Sequence, residues 1–270
     1  MGPHRAWQWV LRALPGAHKH AYRSEEAAYA AWRARNPGKK RSDFYAEIVS
    51  QSISKEGASH PTLGATLHGG VRFDESGRQE LDRLIRAGLR PEHVCVDYGC
   101  GSLRVGQHLI RYLNSSCYWG LDATDRFYRI GVDLLEPGLL AEKKPHLHVI
   151  DAEALRAAIA ARPDYIYSNA VVLHVPPEEL REFFSNVMTL VHAGTTALIN
   201  VRLSRTARRI SSRSWSYPDS ELVKLVEELG GRVTALDRSA PQRSKYSWTR
   251  DVYPAWMTIT SASAGVPAVR

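Results

Sequence analysis

The sequence predicts an α/β protein: a seven-stranded, mostly parallel sheet with helices on both faces and an antiparallel hairpin at its C-terminal end. Three observations predict it. From residue 79 onward, short apolar runs alternate with amphipathic stretches of helical period, the pattern of consecutive βα units. A glycine turn, Gly99-Cys100-Gly101, joins the first of these runs to the helix behind it. The last two apolar runs have no helix between them and so are expected to pair antiparallel.

In chain order, Leu81, Leu84 and Ile85 share one face of a helix over 79–88. Strands are expected over 93–98, 116–122, 146–150, 164–169, 195–201, 232–238 and 255–260. Amphipathic helices fill the gaps over 104–113, 126–135, 153–162, 177–191 and 218–231. Upstream, Ser24 is a candidate N-cap for a helix over 25–35 that stops at Asn36-Pro37-Gly38. A second helix over 42–54 turns Phe44, Ile48 and Ile53 inward. These helices carry too little apolar surface for a core of their own. The division is therefore a helical cap over 1–65, the α/β core over 66–262 and a tail over 263–270.

The chain has 270 residues, 44 % hydrophobic and 24 % charged, which excludes wholesale disorder and a coiled coil. No apolar run approaches the roughly 18–20 residues a membrane helix needs. The first twenty residues are broken by Arg12 and Pro15 and hold no long apolar core, so export is not expected and the cytoplasm is. Cys95, Cys100 and Cys117 form no CxxC pair, which argues against zinc and for reduced thiols. The net charge is +8, and 28 of the 36 cations are Arg. That excess has two readings, a GC-rich genome or an anionic partner.

The glycine turn carries the first functional information. A dinucleotide site wants GxGxxG, but Arg104 stands at the third position and the next glycine is Gly106. Asp97, two residues before Gly99, would repel a pyrophosphate and attract a cation. S-adenosylmethionine has both an ammonium and a sulfonium. Asp122 ends the next strand, where a carboxylate can accept hydrogen bonds from a ribose diol. Asp151 ends the third, where it can meet an adenine amino group or cap the following helix.

At these residues the sequence resembles the class I S-adenosylmethionine-dependent methyltransferases. The likeness runs from Val94 to Thr260 through DYGCGS at 97–102, GLDAT at 120–124, IDAEAL at 150–155, YSNAVVLHVPPEEL at 167–180 and AGTTALINV at 193–201. It implies a Rossmann-like sheet with S-adenosyl-L-methionine as cofactor. By the same resemblance, Asp97, Gly99, Cys100, Gly101 and Arg104 surround the methionine end. Asp122 and Ala123 take ribose and adenine, Asp151 and Ala152 flank the base, and Asn169 lies beside the cofactor. Asn169 stands where metal-dependent relatives carry an acid, so no metal is expected.

His174, after the fourth strand, is the candidate general base for a hydroxyl nucleophile; its alternative role is structural. The run from Val201 to Tyr217 holds five arginines. Arg205, Arg208 and Arg209, with Trp215 and Tyr217, are the candidate substrate contacts for an anionic or sugar-bearing acceptor; a solvated loop is the other reading. His68-Gly69-Gly70-Val71-Arg72 is a candidate flap. Trp7, Trp9, Trp32 and Tyr45 suit a lid or a homodimer contact. The leading expectation is methyl transfer to a small molecule, an acidic or glycosylated hydroxyl compound. An RNA methyltransferase and a non-catalytic cofactor-binding subunit stay open, although no RNA-binding module or NPPY motif is present.

Overall fold

The computed structural model describes residues 17–56, 73–211, 213–238 and 251–263. Helices α1 (Ala17–Arg35) and α2 (Arg41–Glu56) precede α3 (Phe73–Arg86). The core then runs β1 (Cys95–Tyr98), α4 (Gly106–Tyr112), β2 (Tyr118–Asp122), α5 (Asp125–Val132), α6 (Leu139–Lys143), β3 (His146–Val149), α7 (Ala152–Ala160) and β4 (Tyr165–Ser168). A 3-10 turn (Val172–His174), α8 (Pro177–Leu190) and β5 (Thr196–Leu203) follow. The chain closes through β6 (Arg208–Ser211), β7 (Ser214–Ser216), α9 (Asp219–Glu228), β8 (Gly231–Arg238) and β9 (Tyr253–Ser261).

All seven expected strands join one sheet in the order β3-β2-β1-β4-β5-β9-β8. The first five are parallel, and β9 lies antiparallel between β5 and β8. Composition explains why the last strand sits inside. Ala255, Met257 and Ile259 of β9 are fully buried, whereas β8 exposes alternate residues as an edge strand does. One core lies under Ile166, Phe184, Ile199 and Met257; the other holds Leu109, Tyr118, Tyr167 and Leu198. Covering both faces in this way is what forces apolar strands in a parallel sheet.

Three details depart from expectation. Helix α1 begins at Ala17, so Ser24 lies inside it rather than capping it, because no Pro or Gly interrupts 17–35. The short helix α6 was not foreseen. The arginine run is not a loop: β6 and β7 form a two-stranded ladder, which Tyr217 joins to the end of β5 through Leu203. Trp7, Trp9, the His68–Arg72 flap, the side chain of Ile53 and most of the tail lie outside the described residues.

Candidate functional site

The register brings the acids together. Asp97 lies opposite Gly120 of β2 and Tyr167 of β4, and Asp122 ends β2. Both carboxylates are buried, at 3 % and 6 % exposure, and among the described residues they are the only buried acids. Tyr118 donates its hydroxyl to Asp97 Oδ2 at 3.0 Å. Gly101 N–H donates to Asp122 Oδ2 at 2.8 Å, and Thr124 N–H reaches Oδ1 at 3.4 Å. No cation forms an ion pair with either among the described residues. Burial pushes Asp97 up to about 7 against the pull of Tyr118, and Asp122 up to about 6 against the pull of the Gly101 amide.

Both acids face a cleft of about 500 Å³ at the carboxyl ends of the strands. That volume suits a nucleoside cofactor with a small acceptor. Gly99, Cys100, Gly101, Arg104, Ala123 and Asn169 line it too, so eight of the ten expected cofactor residues converge there. Gly99 has φ +85°, and a Cβ on it would stand 2.3 Å from Val171 Cγ2, so this position tolerates no side chain. Ala170 holds φ +59° beside it, a left-handed residue in the loop after β4. Arg104 Nη1 donates to Ser76 Oγ at 3.0 Å. Burial, with Asp122 and Asp97 nearby, pushes the Cys100 thiol well up, so it stays protonated and is no nucleophile.

Asp151 and Ala152 do not reach the cleft. Asp151 Oδ1 accepts the N–H groups of Glu153 at 2.9 Å and Ala154 at 2.8 Å, the N-cap of α7. The wall at this strand end is Ile150 instead.

His174 lines the cleft from the 3-10 turn. Its Nδ1 is 2.7 Å from the Arg213 carbonyl, which can only accept, so Nδ1 carries the proton and Nε2 keeps a lone pair. Burial, aided by the charges of Arg213 and Arg202, pushes its pKa down to about 4, and the ring is neutral at pH 7. Tyr45 stacks on it at 4.6 Å between centroids and 24° between planes.

Tyr45 belongs to α2, which roofs the cleft with Ser42, Asp43, Ala46 and Val49. Glu179 caps this helix, accepting the N–H of Arg41 at 2.7 Å and of Ser42 at 3.3 Å. Helix α1 is clamped in turn. Glu26 grips Arg41 at 2.7 Å and also pairs with Arg209; Glu25 meets Arg209 at 2.9 Å and Arg213 at 3.2 Å. This corrects the assignment of the arginine run to substrate. None of Arg205, Arg208, Arg209, Trp215 and Tyr217 lines the cleft. Arg208 pairs with Asp251, and Arg205 is exposed. Trp215 is buried under Arg209 at 5.4 Å and Arg41 at 5.9 Å. Tyr217 is buried and donates its hydroxyl to the Val175 carbonyl. The acids that claim Arg209 and Arg213 come from residues 25 and 26, nearly two hundred positions away, and no local pattern announces them.

No protein-family model matches the sequence, and no curated protein matches it significantly. Solved structures do. Magnesium protoporphyrin IX methyltransferase from Synechocystis PCC 6803 with bound S-adenosylmethionine superposes with a TM-score of 0.56 at 14 % identity, over 83 % of this chain and 99 % of that one. The same enzyme with S-adenosylhomocysteine gives 0.53 at 15 %, over 80 % and 100 %. The 1,6-didemethyltoxoflavin-N1-methyltransferase of Burkholderia thailandensis, with its substrate and S-adenosylhomocysteine, gives 0.55 at 15 %, over 83 % and 92 %. With the strand order, the inserted antiparallel strand and the glycine turn above, this chain has the fold of the class I S-adenosylmethionine-dependent methyltransferases.

Proposed function

We propose that the protein is an S-adenosylmethionine-dependent methyltransferase that acts on a hydroxyl of a small molecule. One observation carries this reading: the only two buried acids among the described residues both face the cleft, and neither forms an ion pair among those residues. A buried carboxylate without a counter-charge is costly, and a cationic ligand removes the cost. When bound, S-adenosylmethionine supplies a methyl group already activated on a sulfonium. Asp97 would hold its ammonium end and Arg104 its carboxylate. Asp122 would exchange the Gly101 amide for the ribose diol. Ala123, Ile150 and Val171 offer apolar walls for the base.

His174 supplies the proton acceptor. A hydroxyl nucleophile must lose its proton as its bond to carbon forms, and His174, unprotonated at Nε2, is part of the cleft wall. The Tyr45 ring and the Arg213 carbonyl fix the orientation of the imidazole. Helix α2 keeps water from the reacting atoms.

Calorimetry with S-adenosylmethionine tests the assignment: micromolar binding is expected in the wild type and at least a tenfold loss in Asp122→Ala. A wild type that binds none refutes it. The acids make that affinity depend on pH. With Asp97 titrating near 7, the competent fraction at pH 5.5 is about one thirtieth, so Kd rises about thirtyfold between pH 8 and 5.5. A Kd flat over this range removes Asp97 from the site.

Stability moves the opposite way. An acid whose folded pKa is raised stabilises the fold below its ordinary pKa of 3.8, and that contribution is lost as pH rises through about 7. Asp97→Asn is therefore expected to raise the Tm of the ligand-free protein most at pH 8 and less at pH 5, and to abolish cofactor binding. A lower Tm at pH 8 contradicts the electrostatic account. His174→Gln is expected to lower kcat by roughly 10²–10⁴ with cofactor Kd unchanged. Labelled cofactor and fractionated metabolites supply the acceptor for that assay; a loss under about threefold assigns His174 a structural role.

A further inference from the structure

We infer that the acceptor is a phenol-like ring with no anionic group, held in the part of the cleft walled by α2 and α8; this deepens the methyltransferase reading above and rests on it. The cleft wall has two parts. The strand ends and the glycine turn form the first, where Asp97, Asp122 and Arg104 meet the cofactor. Helices α2 and α8 form the second, together with His174. Tyr45, Ala46 and Val49 come from α2, Phe183 and Asn186 from α8, and Tyr98 from the end of β1. The proton acceptor belongs to this second part, so a hydroxyl that reaches it brings its carbon frame there.

Much of the apolar surface in this part is aromatic. Phe183 stands edge-on to Tyr98, with 5.4 Å between centroids and 84° between planes. Asn186 hydrogen-bonds the Tyr98 hydroxyl, which holds that ring in place. On the α2 side, Tyr45 lies stacked on His174, and Val49 packs with Phe127 of α5. Fixed rings offer face and edge contacts that a second ring returns and an aliphatic frame does not.

Charge excludes an anion. This second part holds three acids, Asp43, Glu179 and Glu182, and one cation, Lys40. Lys40 pairs with Glu182 through its ammonium and donates its backbone N–H to Asp43 Oδ2 at 2.8 Å. Glu179 accepts the N–H groups of Arg41 and Ser42. Asp43 and Glu179 thus answer backbone amides rather than cations, and their negative charge stays in surplus. The other cation of the wall, Arg104, stands at the glycine turn, where the cofactor carboxylate meets it. Arg205, Arg208, Arg209 and Arg213 lie outside the wall. A carboxylate or phosphate placed here would lose water and meet like charge. A neutral phenol meets neither cost, and it still carries the proton that His174 takes. The pocket therefore selects by what it repels as well as by what it holds.

The test uses the full chain saturated with S-adenosylhomocysteine and three phenols that differ in charge: methyl 4-hydroxybenzoate, 4-hydroxybenzoate and tyramine. By calorimetry the ester and tyramine are expected to bind saturably, and the carboxylate at least about tenfold more weakly than the ester. Phe183→Leu is expected to weaken the ester about threefold. Glu182→Gln, which removes an acid and releases Lys40, is expected to narrow the gap between carboxylate and ester about threefold. Phenol is expected to bind the wild type about threefold more tightly than cyclohexanol, a comparison that decides the point if Phe183→Leu does not fold. The inference is overturned by a carboxylate that binds as tightly as the ester, by cyclohexanol matching phenol, or by no saturable binding of any probe. An unchanged ester affinity in folded Phe183→Leu, or an unchanged gap in Glu182→Gln, overturns it as well. Failure of S-adenosylhomocysteine to bind at all is a separate result, and it removes the methyltransferase reading.

Discussion

The structure turns on two carboxylates that the fold keeps dry. Asp97 and Asp122 sit at the ends of adjacent parallel strands, and the intervening turn folds back so that Gly101 N–H reaches Asp122. That single amide contact sets much of the local chain. The turn must approach within hydrogen-bonding distance of β2, which leaves no room for a Cβ on Gly99 against Val171. It also directs Arg104 back toward Ser76 of α3. Burial that raises an acid toward neutrality is a standing destabilisation of the empty protein at neutral pH. A fold keeps such a feature where a ligand of opposite charge offsets it.

The second constraint is the roof. Helices α1 and α2 bury Trp32, Phe44 and Val49, and a set of charges adds to that packing. Isolated surface ion pairs contribute only about 0–1 kcal/mol each. The clamp here is a network: Glu25, at 12 % side-chain exposure, meets two arginines, and Glu26 meets two. Trp215 and Tyr29 lie under those guanidinium groups, with Arg41 4.0 Å from the Tyr29 ring centroid. The β6–β7 ladder thus holds the roof with its side chains and His174 with a backbone carbonyl. One small hairpin thus contacts both the roof helix α1 and the His174 ring.

Much of this was legible before any coordinates. Period separated strands from helices, and acids at strand ends pointed to a cationic nucleoside ligand. Asp97 and Asp122 were readable because their position relative to the glycine turn is local. Asp151 was ambiguous because a helix cap and an adenine contact ask for the same residue at the same place. The cap occupies it, and Ile150 lines the cleft. The arginine run misled for a different reason. Whether a guanidinium awaits a ligand depends on which acids tertiary folding delivers, and Glu25, Glu26 and Asp251 arrive from distant segments. Tyr45 stood out in sequence as one of the aromatics suited to a lid or a dimer contact. Nothing there placed it on His174.

The same reasoning explains why a histidine with so low a pKa would suit the proposed methyl transfer to a hydroxyl. Burial, with the charges of Arg213 and Arg202 adding to it, holds the His174 ring neutral. A neutral ring is a weak base toward a resting hydroxyl. As the oxygen bonds to the methyl carbon it becomes strongly acidic, and a weak base then suffices to take the proton. The protein needs no strong base in the ground state, only one aligned, unprotonated nitrogen.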